Sequence, residues 1–152
     1  MLINRKKILP LPFQMGRIIA IDYGRKRTGL AVSDRMRLIA GALTTLPGDK
    51  VIDFLREYTS KEPVDLFLLG EPKQMNNQPS ENMQWVSLFR TQLQKAFPEI
   101  EVKMADERFT SVLAHRAMLD GGLKKKDRRS KELVDQLSAT IILQTYLETN
   151  GI

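Results

Sequence analysis

Cysteine is absent from this chain, which excludes disulfides, thiolate metal centres and a cysteine nucleophile. Histidine is nearly absent. His115 stands alone in the middle of a helical stretch, where it reads as a surface or packing residue. One imidazole is a poor basis for a histidine zinc site or a Ser-His-Asp triad. Negative charge is also scarce: 24 Lys and Arg against 18 Asp and Glu leave a net +6. That excess favours a polyanionic partner without naming one. No apolar run is long enough to span a bilayer. With thiol and imidazole ligands removed, any metal would be held by carboxylates, which points to Mg2+ or Mn2+.

What remains suits a single globular domain: 152 residues, 42% hydrophobic and 28% charged, with no internal repeat. Residues 1–15 hold Arg5, Lys6 and Lys7, then a short apolar patch broken by Pro10 and Pro12. That patch is too short and too proline-rich for a signal-peptide core. The stretch reads as a flexible N-terminal tail, or as an upstream extension if Met15 is the true start. The domain is expected over residues 16–150 and the protein in the cytoplasm, with no membrane partner.

The chain is organised around residues 16–34. Ile18 to Ile21 form an unbroken, largely β-branched run, the mark of a strand buried on both faces. It ends in Asp22, where a carboxylate is costly unless a cation or several donors hold it. Asp22 is therefore either a metal or catalytic ligand at a strand's carboxyl end or an Asx turn that closes the strand. The Gly24–Arg27 connection suits an antiparallel hairpin into a second strand, Thr28 to Ser33. Arg25, Lys26 and Arg27 would then lie beside Asp22, or form an ordinary solvated turn. Gly29 leaves room for another backbone or a phosphate.

A third strand is expected from about Ile39 to Leu46. Asp49 then caps a helix from Lys50 to about Ser60. Val64 to Leu69 forms another buried strand, with Glu71 at its tip. Ser80 caps an amphipathic helix to Phe97 whose apolar face is Trp85, Leu88, Phe89, Leu93 and Ala96. On that stripe Trp85 reads as core, not as a base-stacking platform. Glu101 to Ala105 alternates like a short strand and delivers Asp106, Glu107 and Arg108. A helix from Thr110 or Ser111 to Asp120 is stopped by Gly121 and Gly122. The basic loop Lys124 to Arg129 leads into a last helix, about Ser130 to Thr149, burying Leu133, Leu137 and Ile141. Asp135 lies near its start with Ser138, Ala139 and Ile142 on the same side. A carboxylate there also complements the helix dipole. Three strands followed by α/β units define an α/β class.

Three separated stretches resemble one family. Asp22-x-Gly24-x-x-Arg27-Thr28-Gly29-x-Ala31-x-Ser33-Asp34, then Asp106 to Ser111, then Val134-Asp135-Gln136-x-Ser138-Ala139 are similar to the motifs of the YqgF/RuvX family. The similarity runs from about Gly16 to Thr149. It implies a ribonuclease H-like fold, related to RuvC-type Holliday junction resolvases, with a central mixed five-stranded sheet flanked by helices. It also implies a nuclease that trims the 5′ end of precursor 16S ribosomal RNA. Carried over residue by residue, the catalytic and metal-binding acids become Asp22, Glu107 and Asp135, with Asp106 a candidate fourth. Clustered acids repel one another, and divalent cations roughly 4 Å apart relieve this while activating water. Arg25, Arg27, Arg108, Lys124, Lys125, Lys126, Arg128 and Arg129 would hold the phosphate backbone without reading sequence. Glu71 stands where the family usually has an apolar residue, and either adds a ligand or faces solvent. The expected activity is metal-dependent cleavage of structured RNA, with ribosomal assembly intermediates as partners. The alternatives are resolution of branched DNA and a noncatalytic RNA-binding assembly factor.

Overall fold

Ile18 to Ile21 are fully enclosed, as an uninterrupted apolar run demands, and form the body of strand β1 (Arg17–Asp22). The computed structural model describes residues 16–72, 81–106 and 131–150. Strand β2 is Thr28–Ser33, β3 Ala40–Leu46, β4 Val64–Glu71 and β5 Glu101–Asp106. They make one five-stranded sheet in the order β3-β2-β1-β4-β5. The tight turns after β1 and β2 make those neighbours antiparallel, whereas β4 and β5 run parallel to β1. The sheet is mixed, as expected.

Alternation along the strands sorts the core into two layers. Ile19, Ile21, Leu30, Phe67 and Leu69 face helices α1 (Val51–Lys61) and α2 (Met83–Ala96). Ile18, Ala20, Ala31, Leu66 and Leu68 face helix α3 (Lys131–Asn150), which supplies Ala139, Ile142, Leu143 and Leu147. Each large side chain removed from water here contributes about 1.5–3 kcal/mol. Helix α3 lies across β1, β2 and β3, and its small Ser138 and Ala139 are both buried against the sheet. No helix among the described residues is long and apolar enough to cross a membrane.

Several local expectations are corrected. Asp49 does not cap α1: it lies inside a 3-10 turn, Gly48–Lys50, and the helix starts at Val51 without a side-chain cap bond. Helix α2 starts at Met83 after Asn82, later than expected; Ser80 lies outside the described residues. Its buried stripe is Val86, Phe89 and Leu93, while Leu88 is 57% exposed. One step along a helix turns a side chain by about 100°, enough to carry Leu88 off the stripe that Phe89 defines. On α3 the side facing the sheet is that of Ser138, Ala139 and Ile142. Leu133, Leu137 and Ile141, one position away, are half-buried. The helix expected over 110–120, His115 and the tail over 1–15 lie outside the described residues.

Asp34, the last acid of the first motif, closes the β2–β3 hairpin. Its Oδ1 accepts the backbone N–H groups of Leu38 (2.8 Å) and Ile39 (2.9 Å), and its Oδ2 that of Met36 (3.2 Å). Partial burial pushes the carboxyl up, but these donors outweigh it and hold the pKa below the ordinary carboxylate range. A depressed folded-state pKa gives stability that is present above about pH 4 and lost as pH falls through the lower folded value. Asp34→Ala should lower stability at pH 7 by about 1–2 kcal/mol. Urea denaturation of both proteins should show that gap narrowing once the medium is acid enough to protonate Asp34. A gap independent of pH would remove the carboxylate from the hairpin's stability.

Candidate active site

Strand β1 is where the sheet changes sense, antiparallel to β2 on one side and parallel to β4 on the other. In open α/β sheets the crevice at the carboxyl end of such a strand is where ligands bind. Asp22 stands there, opposite Gly29 of β2. It continues the alternation of Ile18 and Ala20, so it belongs to the face that α3 covers. Gly29 explains how α3 reaches it. A Cβ built on Gly29 would fall inside the Asp135 carbonyl and 2.9 Å from Gln136 N. The helix backbone thus rests directly on β2 at this point. Asp22 and Asp135, distant in the chain, line one open cleft of about 330 Å³ together with Asn82 and the turn Tyr23 to Arg27.

That turn is held from several sides. Gly24 N donates to Thr28 Oγ1 (3.2 Å), and the same hydroxyl donates to Gly24 O (2.9 Å). Gly48 N donates to Arg25 O at 3.0 Å. The Asn82 side-chain amide donates to Tyr23 O at 3.0 Å, and the Tyr23 ring stacks on Phe89 with centroids 4.3 Å apart. Burial pushes the Tyr23 phenol above its ordinary value; Arg25 opposes the shift and Asp49 adds to it. Burial thus favours the neutral phenol. Arg27 Nε donates to Asp135 Oδ2 at 3.1 Å, a half-buried ion pair. Arg25 lies over the Trp85 ring, 3.9 Å from its centroid. Cations and carboxylates are interleaved at one strand end.

The structure thus brings together Asp22, Asp135, Arg25 and Arg27. Glu71 and Asp106 are register partners at the ends of β4 and β5. Alternation places them with Leu69 and Met104, on the α1–α2 face and away from that of Asp22 and Asp135. Glu107, Arg108, Lys124, Lys125, Lys126, Arg128 and Arg129 lie outside the described residues. Among the described residues no group of three or more His, Cys, Asp or Glu is placed to hold a metal. Sequence reasoning misses Asn82 and the contact of Trp85 with Arg25. Asn82, Trp85 and Phe89 follow the i, i+3, i+7 spacing of one helical stripe, but a sequence does not say that a loop lies on it.

A mixed sheet of this order, with an acid at the end of its first strand and another at the start of its last helix, is a ribonuclease H-like nuclease scaffold. A Thermus thermophilus RuvC in complex with a Holliday junction substrate has the same fold: TM-score 0.56 over 89% of this chain and 96% of that one, at 17% identity. The sequence profile of RuvX, described as a Holliday junction resolvase, matches residues 16–149, and the chain belongs to that family of nucleases. A protein of Phocaeicola vulgatus is 62% identical over 89% of this chain and 97% of its own length. One of Porphyromonas gingivalis is 54% identical over 88% and 97%. Both are provisionally named pre-16S rRNA nucleases.

Proposed function

We propose that this chain is a divalent-metal-dependent nuclease that hydrolyses phosphodiester bonds of structured RNA, with precursor 16S ribosomal RNA as its substrate. The observation that carries this reading is the convergence of Asp22 and Asp135 in one cleft bordered by Arg25, Lys26 and Arg27. The donor set fits a hard cation: carboxylate oxygens, no sulfur, no imidazole. Asp22 and Asp135 would hold it, with Glu107, which directly follows Asp106 in sequence, as third ligand. A Mg2+ or Mn2+ ion bound there supplies an activated water and charge compensation at the leaving oxygen. Arg27 keeps the Asp135 carboxylate oriented and its charge balanced. Arg25 and Lys26 border the same cleft and would position the phosphate backbone without reading bases.

The names of the relatives support RNA as substrate, and the description of the family supports branched DNA as the second reading. Incubating the protein with labelled precursor RNA and with a four-way DNA junction, with and without Mg2+ or Mn2+, separates them. Metal-dependent cleavage of the RNA alone is expected. Cleavage of the junction alone would transfer the activity to DNA, and failure to cut either would leave an RNA-binding assembly factor. The basic loop gives a further test. Replacing Lys124, Lys125 and Lys126 by Ala should weaken RNA binding and flatten its log–log salt dependence by about one unit for each phosphate no longer held. Superimposable salt series would remove these lysines from the interface.

A further inference from the structure

The two arginines of the cleft are held differently. Arg27 is engaged by Asp135. Arg25 is an exposed residue whose guanidinium lies over the Trp85 ring, 3.9 Å from the centroid, and no described carboxylate forms a salt bridge with it. A guanidinium on an aromatic face is steadied while its in-plane N–H groups remain available to grip a phosphate two at a time. An unsupported arginine would have to surrender its rotamer freedom on binding, a cost that prior ordering removes. The support is itself rigid. Trp85 shares its helix stripe with Asn82 and Phe89, which hold Tyr23 by its carbonyl and its ring, and Gly48 N fixes the Arg25 carbonyl.

We propose that Trp85 is a positioning residue: it holds Arg25 ready at the lip of the cleft to bind an RNA phosphate adjoining the one that is cut. This rests on the reading that RNA enters the cleft, and assigns to Trp85 a role that core packing alone does not explain. Trp85 acts through Arg25 and makes no base contact of its own.

The test uses the full chain and a labelled precursor RNA in the presence of a chelator, so that binding is read without cleavage. Arg25→Gln should weaken binding and reduce the salt slope by about one unit. Trp85→Leu should weaken it about 2- to 5-fold, the size of an exposed cation–π effect, and Trp85→Phe should restore most of that loss. In the Arg25→Gln background Trp85→Leu should change nothing further, because the group it positions is gone. The chain has one tryptophan, so its emission reports Trp85 directly and should change little when RNA binds. Equal losses from Trp85→Leu in both backgrounds would overturn the proposal in favour of general packing. Strong quenching by RNA would overturn it in favour of a base stacked on the ring. If the unaltered protein binds no RNA at all, the functional reading itself falls and the proposal with it; normal RNA binding by Arg25→Gln overturns the proposal alone.

Discussion

Asp22→Asn is expected to bind RNA and leave it uncut. The substitution keeps the shape of the side chain but replaces a charged oxygen by an amide nitrogen, a poor ligand for a hard divalent cation. The loss should be on the order of a thousandfold or more in single-turnover cleavage, the scale seen when an essential electrostatic group is removed. The strand pairing should persist. Asp22 pairs with Gly29 through its backbone, which the substitution leaves in place. Asp135→Asn should behave alike, with a small added cost from weakening the half-exposed Arg27 pair, worth about 0–1 kcal/mol. Glu107→Gln completes the set. Undiminished cleavage by folded Asp22→Asn would dismiss the metal mechanism.

Gly29→Ala should damage both the fold and the chemistry. The new methyl group would occupy the place of the Asp135 carbonyl and lie 2.9 Å from Gln136 N. Both obstacles are helix backbone, so no side chain can rotate out of the way. Helix α3 has to lift from β2, at a cost of about 1–3 kcal/mol for overpacking. For a chain of this size that is a fall of about 3–10 °C in melting temperature. A displacement of about 1 Å at a catalytic group costs on the order of 100-fold in rate, so cleavage should fall further than stability. Gly41→Ala provides the control, since a Cβ there meets nothing closer than Val32 O at 3.9 Å. A Gly29→Ala protein as stable and active as the Gly41→Ala one would show that α3 does not depend on this close approach.

Much of the sheet was legible because its strands are simple. Ile18 to Ile21 and Val64 to Leu69 have almost no polar interruption, so a strand enclosed on both sides satisfies them best. Gly29 was legible in the same way: a glycine inside a strand implies a close neighbour, here the backbone of α3. The helix starts were harder to read. Asp49 is a good capping residue by type, yet Gly48 is drawn to the Arg25 carbonyl and that turn takes 3-10 geometry. Asn82 likewise precedes a helix but donates its amide to Tyr23. The two acids of the first motif also divide their labour in a way that type alone does not reveal. Both end a strand, but Asp34 accepts three backbone N–H groups of its own turn, whereas Asp22 meets a helix from the far end of the sequence. Leu88 and Trp85 were misjudged for one reason. A helical stripe read from sequence is uncertain by one position, and one position decides between a buried and a more exposed side chain.

Because Asp22 belongs to the first strand of the sheet and Asp135 to the last helix laid upon it, the order of synthesis bears on when the protein can cut. A chain is made from its N-terminus at about 5–20 residues per second. The β1–β2–β3 meander can form early through its short turns, but the face carrying Ile18, Ala20 and Ala31 gains its α3 cover only later. A nascent chain that has emerged only as far as β5 does not yet contain Asp135, the other acid of the cleft. The cleft that Asp22 and Asp135 share therefore takes shape only after α3 has been made and has docked on the sheet.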